Sequence, residues 1–139
     1  MNIQPFHLAI PVQNLEKCRK FYRDVLGCTE GRSAEHWVDF NFFGHQLVIH
    51  QKEDFRPVQI SNPVDGHDVH VPHFGVVLKW EDWESLAQRL KENDTQFIIE
   101  PYIRFRGEVG EQATLFFHDP EHNAIEFKAF KNIDQLFAK

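Results

Sequence analysis

Two short apolar stretches each open on a histidine: Phe6-His7-Leu8-Ala9-Ile10-Pro11-Val12, and Pro72-His73-Phe74-Gly75-Val76-Val77-Leu78. Neutral imidazole is the commonest side-chain metal ligand, so a repeated strand carrying a repeated histidine points to a built metal site. A third donor is Glu126, in the run Asn123-Ala124-Ile125-Glu126-Phe127. A carboxylate inside a strand meant for burial needs a cation or hydrogen bonds to offset its desolvation. Two imidazoles and one carboxylate are a ligand set suited to a divalent ion.

Alternation along a strand places His7 on one face with Ala9 and Pro11, while Leu8, Ile10 and Val12 point to the core. His73 lies likewise with Gly75 and Val77, and small neighbours leave room for an ion and a ligand. Other groups carry less. His67-Asp68-Val69-His70 reads as a polar loop, and its spacing is not that of a helical HxxxH pair. Arg104, Arg106 and Gln112 are suited to an anionic or carbonyl-bearing substrate. Phe116 belongs to a set of alternating aromatic residues expected to line an apolar pocket.

The elements that must position these residues repeat as well. Asn14 is expected to cap a helix over residues 15–26, with apolar side chains at 15, 18, 21, 22, 25 and 26 and Gly27 as its stop. Asp82 is expected to cap a second helix containing Trp83, Leu86, Ala87 and Leu90, ended by Asn93-Asp94. Strand material follows each: 36–43 and 46–50 in the first half, then a short 97–99, 114–118 and 124–130 in the second. The order is βαβββ, twice. Module one spans about residues 3–52 and module two about 72–130, within a single domain covering residues 1–139. Residues 53–71 read as a crossover without regular structure, serving as a lid or wrapping the partner module. Tyr102 to Glu111 reads as a second irregular stretch, over a pocket mouth. The tail, 131–139, spaces Ile133, Leu136 and Phe137 as a short amphipathic helix that docks on the body or on a second subunit.

With 139 residues, 42% hydrophobic and 26% charged, the chain has the length and composition of one globular domain. A formal net charge of -6 with scattered basic residues lacks the footprint of nucleic-acid binding, which favours a small-molecule partner. There is no apolar run of membrane-spanning length and Met1-Asn2-Ile3-Gln4-Pro5 has no signal-peptide pattern, so a cytoplasmic location is expected. Cys18 and Cys28 have no CxxC spacing and read as reduced structural thiols.

The chain resembles the vicinal oxygen chelate superfamily, also called the glyoxalase, bleomycin-resistance and extradiol dioxygenase superfamily. The resemblance spans nearly the whole chain. It is carried by the histidine strands, the Asn14 to Gly27 segment, and Phe117-His118-Asp119-Pro120-Glu121-His122-Asn123-Ala124-Ile125-Glu126-Phe127, with His122 where the family usually has glycine. It implies an α+β fold of two βαβββ modules curled into a barrel-like mixed sheet, with a metal in the cavity held by His7, His73 and Glu126. Relatives of glyoxalase type place a fourth ligand near the position that Val48 takes here, and valine cannot bind a metal. The remaining three-ligand set resembles that of the extradiol dioxygenase branch, which implies Fe(II), dioxygen and a substrate with vicinal oxygens. His50, on the face of Val48, matches a histidine acting there as acid and base. Ring-cleaving relatives carry a tyrosine at the place of Phe116, which cannot donate a hydrogen bond. The alternatives are a glyoxalase-type lyase or isomerase using Zn, Ni or Mn, and a non-catalytic drug-binding protein. A homodimer is expected.

Overall fold

The computed structural model describes residues 2–58 and 60–139. The chain divides into two compact units, Met1–Pro57 and Val58–Lys139, each containing one βαβββ module, and the fold is mixed α+β. Among the described residues no helix is long and apolar enough to cross a membrane.

In the first unit β1 (His7–Val12) leads into α1 (Leu15–Lys20), followed by β2 (Thr29–Ala34), β3 (Trp37–Phe42) and β4 (His45–Gln51). The sheet order is β1-β4-β3-β2. β1 runs parallel to β4, with His7 opposite Gln46 and Ala9 opposite Val48, and the other pairs are antiparallel. Asn14 caps α1 as expected, its Oδ1 accepting from Lys17 N at 2.9 Å. The expected helix over 15–26 does not stay α-helical, because Phe21–Val25 widen into a π-helical turn in which Leu26 N donates to Phe21 O. This swings the fully buried Tyr22 onto Phe40 and Phe42, at ring separations of 5.5 and 6.4 Å. Gly27 then ends the segment at φ 74°, the left-handed conformation that glycine adopts without a Cβ penalty. Cys18 and Cys28 are buried thiols, which fits the packing role expected of them.

The second unit opens on a hairpin, β5 (Ile60–Val64) and β6 (His67–Val71), turned at Asp65 and Gly66 with φ of 50° and 77°. This corrects the reading of 53–71 as irregular and of His67 to His70 as a loop. Asp-Gly with both residues at positive φ is the chemistry of a two-residue hairpin turn. The second histidine strand is interrupted into β7 (His73–Phe74) and β8 (Val77–Leu78), both parallel to β11 (Ala124–Phe130). Gly75 sits at the interruption. A Cβ built on it would lie 1.5 Å from the Glu126 carbonyl oxygen, so only glycine allows the two backbones to approach this closely.

Helix α2 (Trp80–Glu92) starts earlier than the expected Asp82 cap, from Lys79 without a side-chain cap bond, leaving Asp82 in the first turn where its charge suits the helix dipole. Its face of Trp83, Leu86, Ala87 and Leu90 is buried. β9 (Phe97–Arg104) is much longer than the expected 97–99, and it takes Tyr102 and Arg104 out of the supposed loop. Pro101 obscured it. Proline is tolerated here because β9 is the outer strand beside β10 (Gln112–His118) in the order β7-β11-β10-β9. The tail forms only a 3-10 turn, Ile133–Gln135, and Ile133 and Phe137 stay exposed.

Trp83 fastens α2 to the strand carrying Glu126, donating from Nε1 to the Phe127 carbonyl at 3.0 Å in a buried setting. Replacing Trp83 with Phe keeps most of the apolar volume but removes the donor. Unfolding in urea should show a loss of about 1–3 kcal/mol; an unchanged midpoint would show that this bond does not anchor the helix.

Candidate functional site

One face of the second sheet gathers the polar chemistry. Cross-strand pairs share a face, and the register places Thr114 opposite Lys128 and Tyr102, Phe116 opposite Glu126, and Ala124 opposite both His118 and His73. Glu126 is 14% exposed at its side chain, and three groups meet it there. His73 Nε2 is 3.2 Å from Oε2, Thr114 Oγ1 donates to Oε1 at 2.7 Å, and Lys128 Nζ is 3.6 Å from Oε1. Burial alone would raise the carboxyl's pKa, but the contacts with His73, Thr114 and Lys128 outweigh it and hold the pKa below its ordinary value. Contact with Glu126 in turn raises the pKa of His73, against the effect of burial.

His73 Nδ1 is 2.7 Å from the His70 carbonyl oxygen. A carbonyl only accepts, so Nδ1 carries the proton and, in the neutral ring, the Nε2 lone pair faces Glu126. Fixing the second ring nitrogen on an acceptor is how metal-binding histidines are oriented. Adjacent donors on an octahedral ion with bonds of about 2.1 Å stand about 3 Å apart, which agrees with the 3.2 Å between His73 Nε2 and Glu126 Oε2. These residues fit a divalent ion.

The hairpin closes over part of this face. Val69 packs on Ile99, Phe116 and Ala124, and Asp65 meets both Tyr102, whose hydroxyl donates at 3.3 Å, and Arg104, whose Nε lies 2.5 Å away. That Arg104 Nε is buried and makes an ion contact without an aligned hydrogen bond. Phe116 is buried with its ring 5.0 Å from that of His73.

In the first unit His7, Gln46, Val48, Asp39 and His50 share a face through the pairs His7–Gln46, Asp39–Val48 and Pro11–His50. Gln46 Nε2 donates to Asp39 Oδ2 at 3.2 Å, which turns its carbonyl oxygen to His7 Nδ1 at 2.7 Å. His7 therefore also holds its proton on Nδ1 and, when neutral, keeps its lone pair on Nε2. The registers of the two units correspond. His73 faces Ala124, two residues before Glu126, as His7 faces Gln46, two residues before Val48. Val48 is thus the counterpart of Glu126, and Asp39 that of Phe116.

Of the residues expected from sequence, the second unit brings His73, Glu126 and Phe116 together. His7 stands with Gln46 and Asp39, and His50 lies exposed at the end of β4. Arg104 is on the strand beside Tyr102, Gln112 is buried with its amide 3.4 Å from the Gly110 carbonyl, and Arg106 is exposed in the turn after β9. Sequence reading missed Thr114, Lys128, Tyr102, Gln46 and Asp39. For the first two the signal was period-two alternation from Glu126 and its partner strand. Among the described residues no group of three or more His, Cys, Asp and Glu side chains is placed to hold a metal ion.

A sequence model of the Glyoxalase/Bleomycin resistance protein/Dioxygenase superfamily matches residues 4–127. A crystal structure of a glyoxalase/bleomycin resistance protein/dioxygenase from Alicyclobacillus acidocaldarius is 29% identical, with a TM-score of 0.79 and 96% of each chain covered. The metallothiol transferase FosB of Staphylococcus haemolyticus is 24% identical over 130 residues, covering 94% of this chain and 86% of that protein. A variant of the fosfomycin resistance protein FosX from Listeria monocytogenes, complexed with Mn(II) and 1S,2S-dihydroxypropylphosphonic acid, is 17% identical with a TM-score of 0.71 over the whole of both chains.

The face also carries a histidine held neutral. Burial, then the neighbouring His70 and His122, lower the His118 pKa from 6.5 to about 4. Between those values the unfolded chain takes up a proton that the folded chain refuses, so this group's contribution makes stability fall as pH drops through the window. An NMR titration of the His118 ring should give a midpoint near 4; an ordinary histidine midpoint would contradict the assignment.

Proposed function

The chain belongs to the glyoxalase/bleomycin resistance protein/dioxygenase superfamily, and on that premise we propose a divalent-metal enzyme acting on a small anionic substrate with two neighbouring oxygens. His7, His73 and Glu126 are its ligands. The observation that carries this reading is the His73–Glu126 pair at 3.2 Å, with His73 Nδ1 committed to a backbone carbonyl. With Val48 in the fourth position, three protein ligands leave neighbouring coordination places for substrate. When bound, the metal supplies Lewis acidity to the substrate oxygens.

The rest is done by the chain's own side chains. Lys128 and Arg104 put two cations on the Glu126 face, the second held by Asp65 with its Nε buried and in ion contact, and both suit the acid group of an anionic substrate. The Tyr102 hydroxyl orients the same group, while Phe116 and Val69 keep water from the reacting atoms. His50 and Asp39, on the His7 face, are the groups available to move a proton. The transferase and phosphonic-acid complex among the relatives support addition or transfer of a nucleophile to such a substrate. Mn(II) fits the donor set and the FosX complex.

A second reading is an extradiol-type dioxygenase using Fe(II). The two-histidine, one-carboxylate set and His50 favour it, whereas Phe116 offers no hydroxyl to a substrate oxygen.

Mn(II) binding followed by electron paramagnetic resonance should give about one ion per chain, and His73→Ala should abolish it; undiminished binding in the variant would remove the ligand assignment. The reaction classes separate on the loaded enzyme. Thiol consumption with fosfomycin, without dioxygen uptake, is expected with Mn(II). Dioxygen uptake with catechols under Fe(II) would replace the first reading by the second.

A further inference from the structure

The tip of the β5–β6 hairpin sets a carboxylate against a cation of the Glu126 face. Asp65 Oδ2 lies 2.5 Å from Arg104 Nε and accepts from the Tyr102 hydroxyl at 3.3 Å. Through their register with Gln112 and Thr114, Arg104 and Tyr102 stand on the face that carries Lys128 and Glu126. We propose that Asp65 is a built-in competitor for the substrate's oxyanion: it holds the hairpin tip down on Arg104 and Tyr102, and an oxyanion binding there displaces it and releases the tip. This inference rests on the reading of the face as the site of an anionic substrate.

The contacts at Arg104 are those of an anion subsite occupied from within. The Phe105 ring lies under the guanidinium, 4.8 Å from its central carbon, and only 19% of the arginine side chain is exposed. Its Nε is buried and in charge contact with Asp65, yet makes no aligned hydrogen bond. A carboxylate tethered to its turn thus meets the charge without matching the donor directions, which a free oxyanion can approach in line. Burial and the Asp65 charge raise the Tyr102 pKa, so its hydroxyl stays a donor to either anion.

The tip can lift without breaking a backbone ladder. Among the described residues β5 and β6 pair only with each other, and side chains fasten them to the larger sheet. Near the base Val69 packs on Ile99, Phe116 and Ala124, and His70 Nδ1 is 3.0 Å from His118 Nε2. At the tip the contacts are those of Asp65, with the His67 ring 5.6 Å from that of Tyr102. The Asp65 side chain is 43% exposed, and partly exposed ion pairs are weak, so an incoming oxyanion exchanges a weak pair for a better-aligned one. Asn-Gly would make the same two-residue turn as Asp-Gly. The charge is the part that the turn does not require.

Calorimetric titration of the full, metal-free chain with inorganic phosphate at constant ionic strength tests this, with folding checked by circular dichroism. Asp65→Asn keeps the turn chemistry and removes the charge. It should bind phosphate about two- to fivefold more tightly than the wild type, the range set by losing a partly exposed ion pair, and Arg104→Gln should lose the binding. In the wild type phosphate should shift the Gly66 amide signal in NMR spectra, whereas chloride at the same ionic strength should not. Equal or weaker phosphate binding by folded Asp65→Asn, binding by neither protein, or a Gly66 signal unmoved at saturating phosphate would overturn the proposal. His73→Ala tests the ligand reading separately, since it should lose Mn(II) binding while the Gly66 response to phosphate stays.

Discussion

A carboxylate placed in an apolar strand is the constraint on which the second unit depends. Glu126 alternates with Ile125 and Phe127, which are fully buried, so the strand cannot expose it without giving up its core. Burying an unpaired carboxylate is costly enough that it would take a proton instead. The structure keeps it charged by bringing His73, Thr114 and Lys128 to its two oxygens. Much local architecture serves that meeting: the broken strand that delivers His73, the glycine at the break, and Trp83 gripping the next carbonyl along β11.

The two modules share a plan and differ in chemistry. Equivalent register positions hold Val48 in one and Glu126 in the other, and Asp39 in one and Phe116 in the other. Duplication thus supplied two histidines with the same proton arrangement, while divergence put a buried carboxylate beside one and an amide and acid behind the other. Each histidine has its Nδ1 tied by a fixed acceptor, a backbone carbonyl for His73 and the Gln46 amide for His7. Such partners orient an imidazole and raise its basicity as a ligand.

The histidine strands, the Asn14 cap, the Asp-Pro turn and the anomalous Glu126 were legible in the sequence because each is a local signal. What escaped was set by tertiary context. The β5–β6 hairpin was hidden by its polar, exposed composition, although Asp65-Gly66 carried the turn signal. β9 was cut short in reading because Pro101 argues against a strand unless the strand is an edge one, and edge position is not local information. The π-helical turn follows from seating Tyr22 against Phe40 and Phe42, which no helical periodicity specifies. Lys128 and Thr114 read as ordinary polar alternation until the register set them against Glu126. The segment read as an irregular lid or wrap is this regular hairpin, and it brings Asp65, Val69 and His70 onto the Glu126 face.

The central claim is that the desolvated carboxylate and its histidine are a metal's ligands and not simply an ion pair. A crystal structure of the Mn(II)-loaded protein, with anomalous data at the manganese edge, tests it most directly. The account predicts one strong peak within about 2.3 Å of His73 Nε2 and of a Glu126 oxygen. An anomalous map with no peak there, and His73 still paired with Glu126 at its metal-free distance, would contradict it.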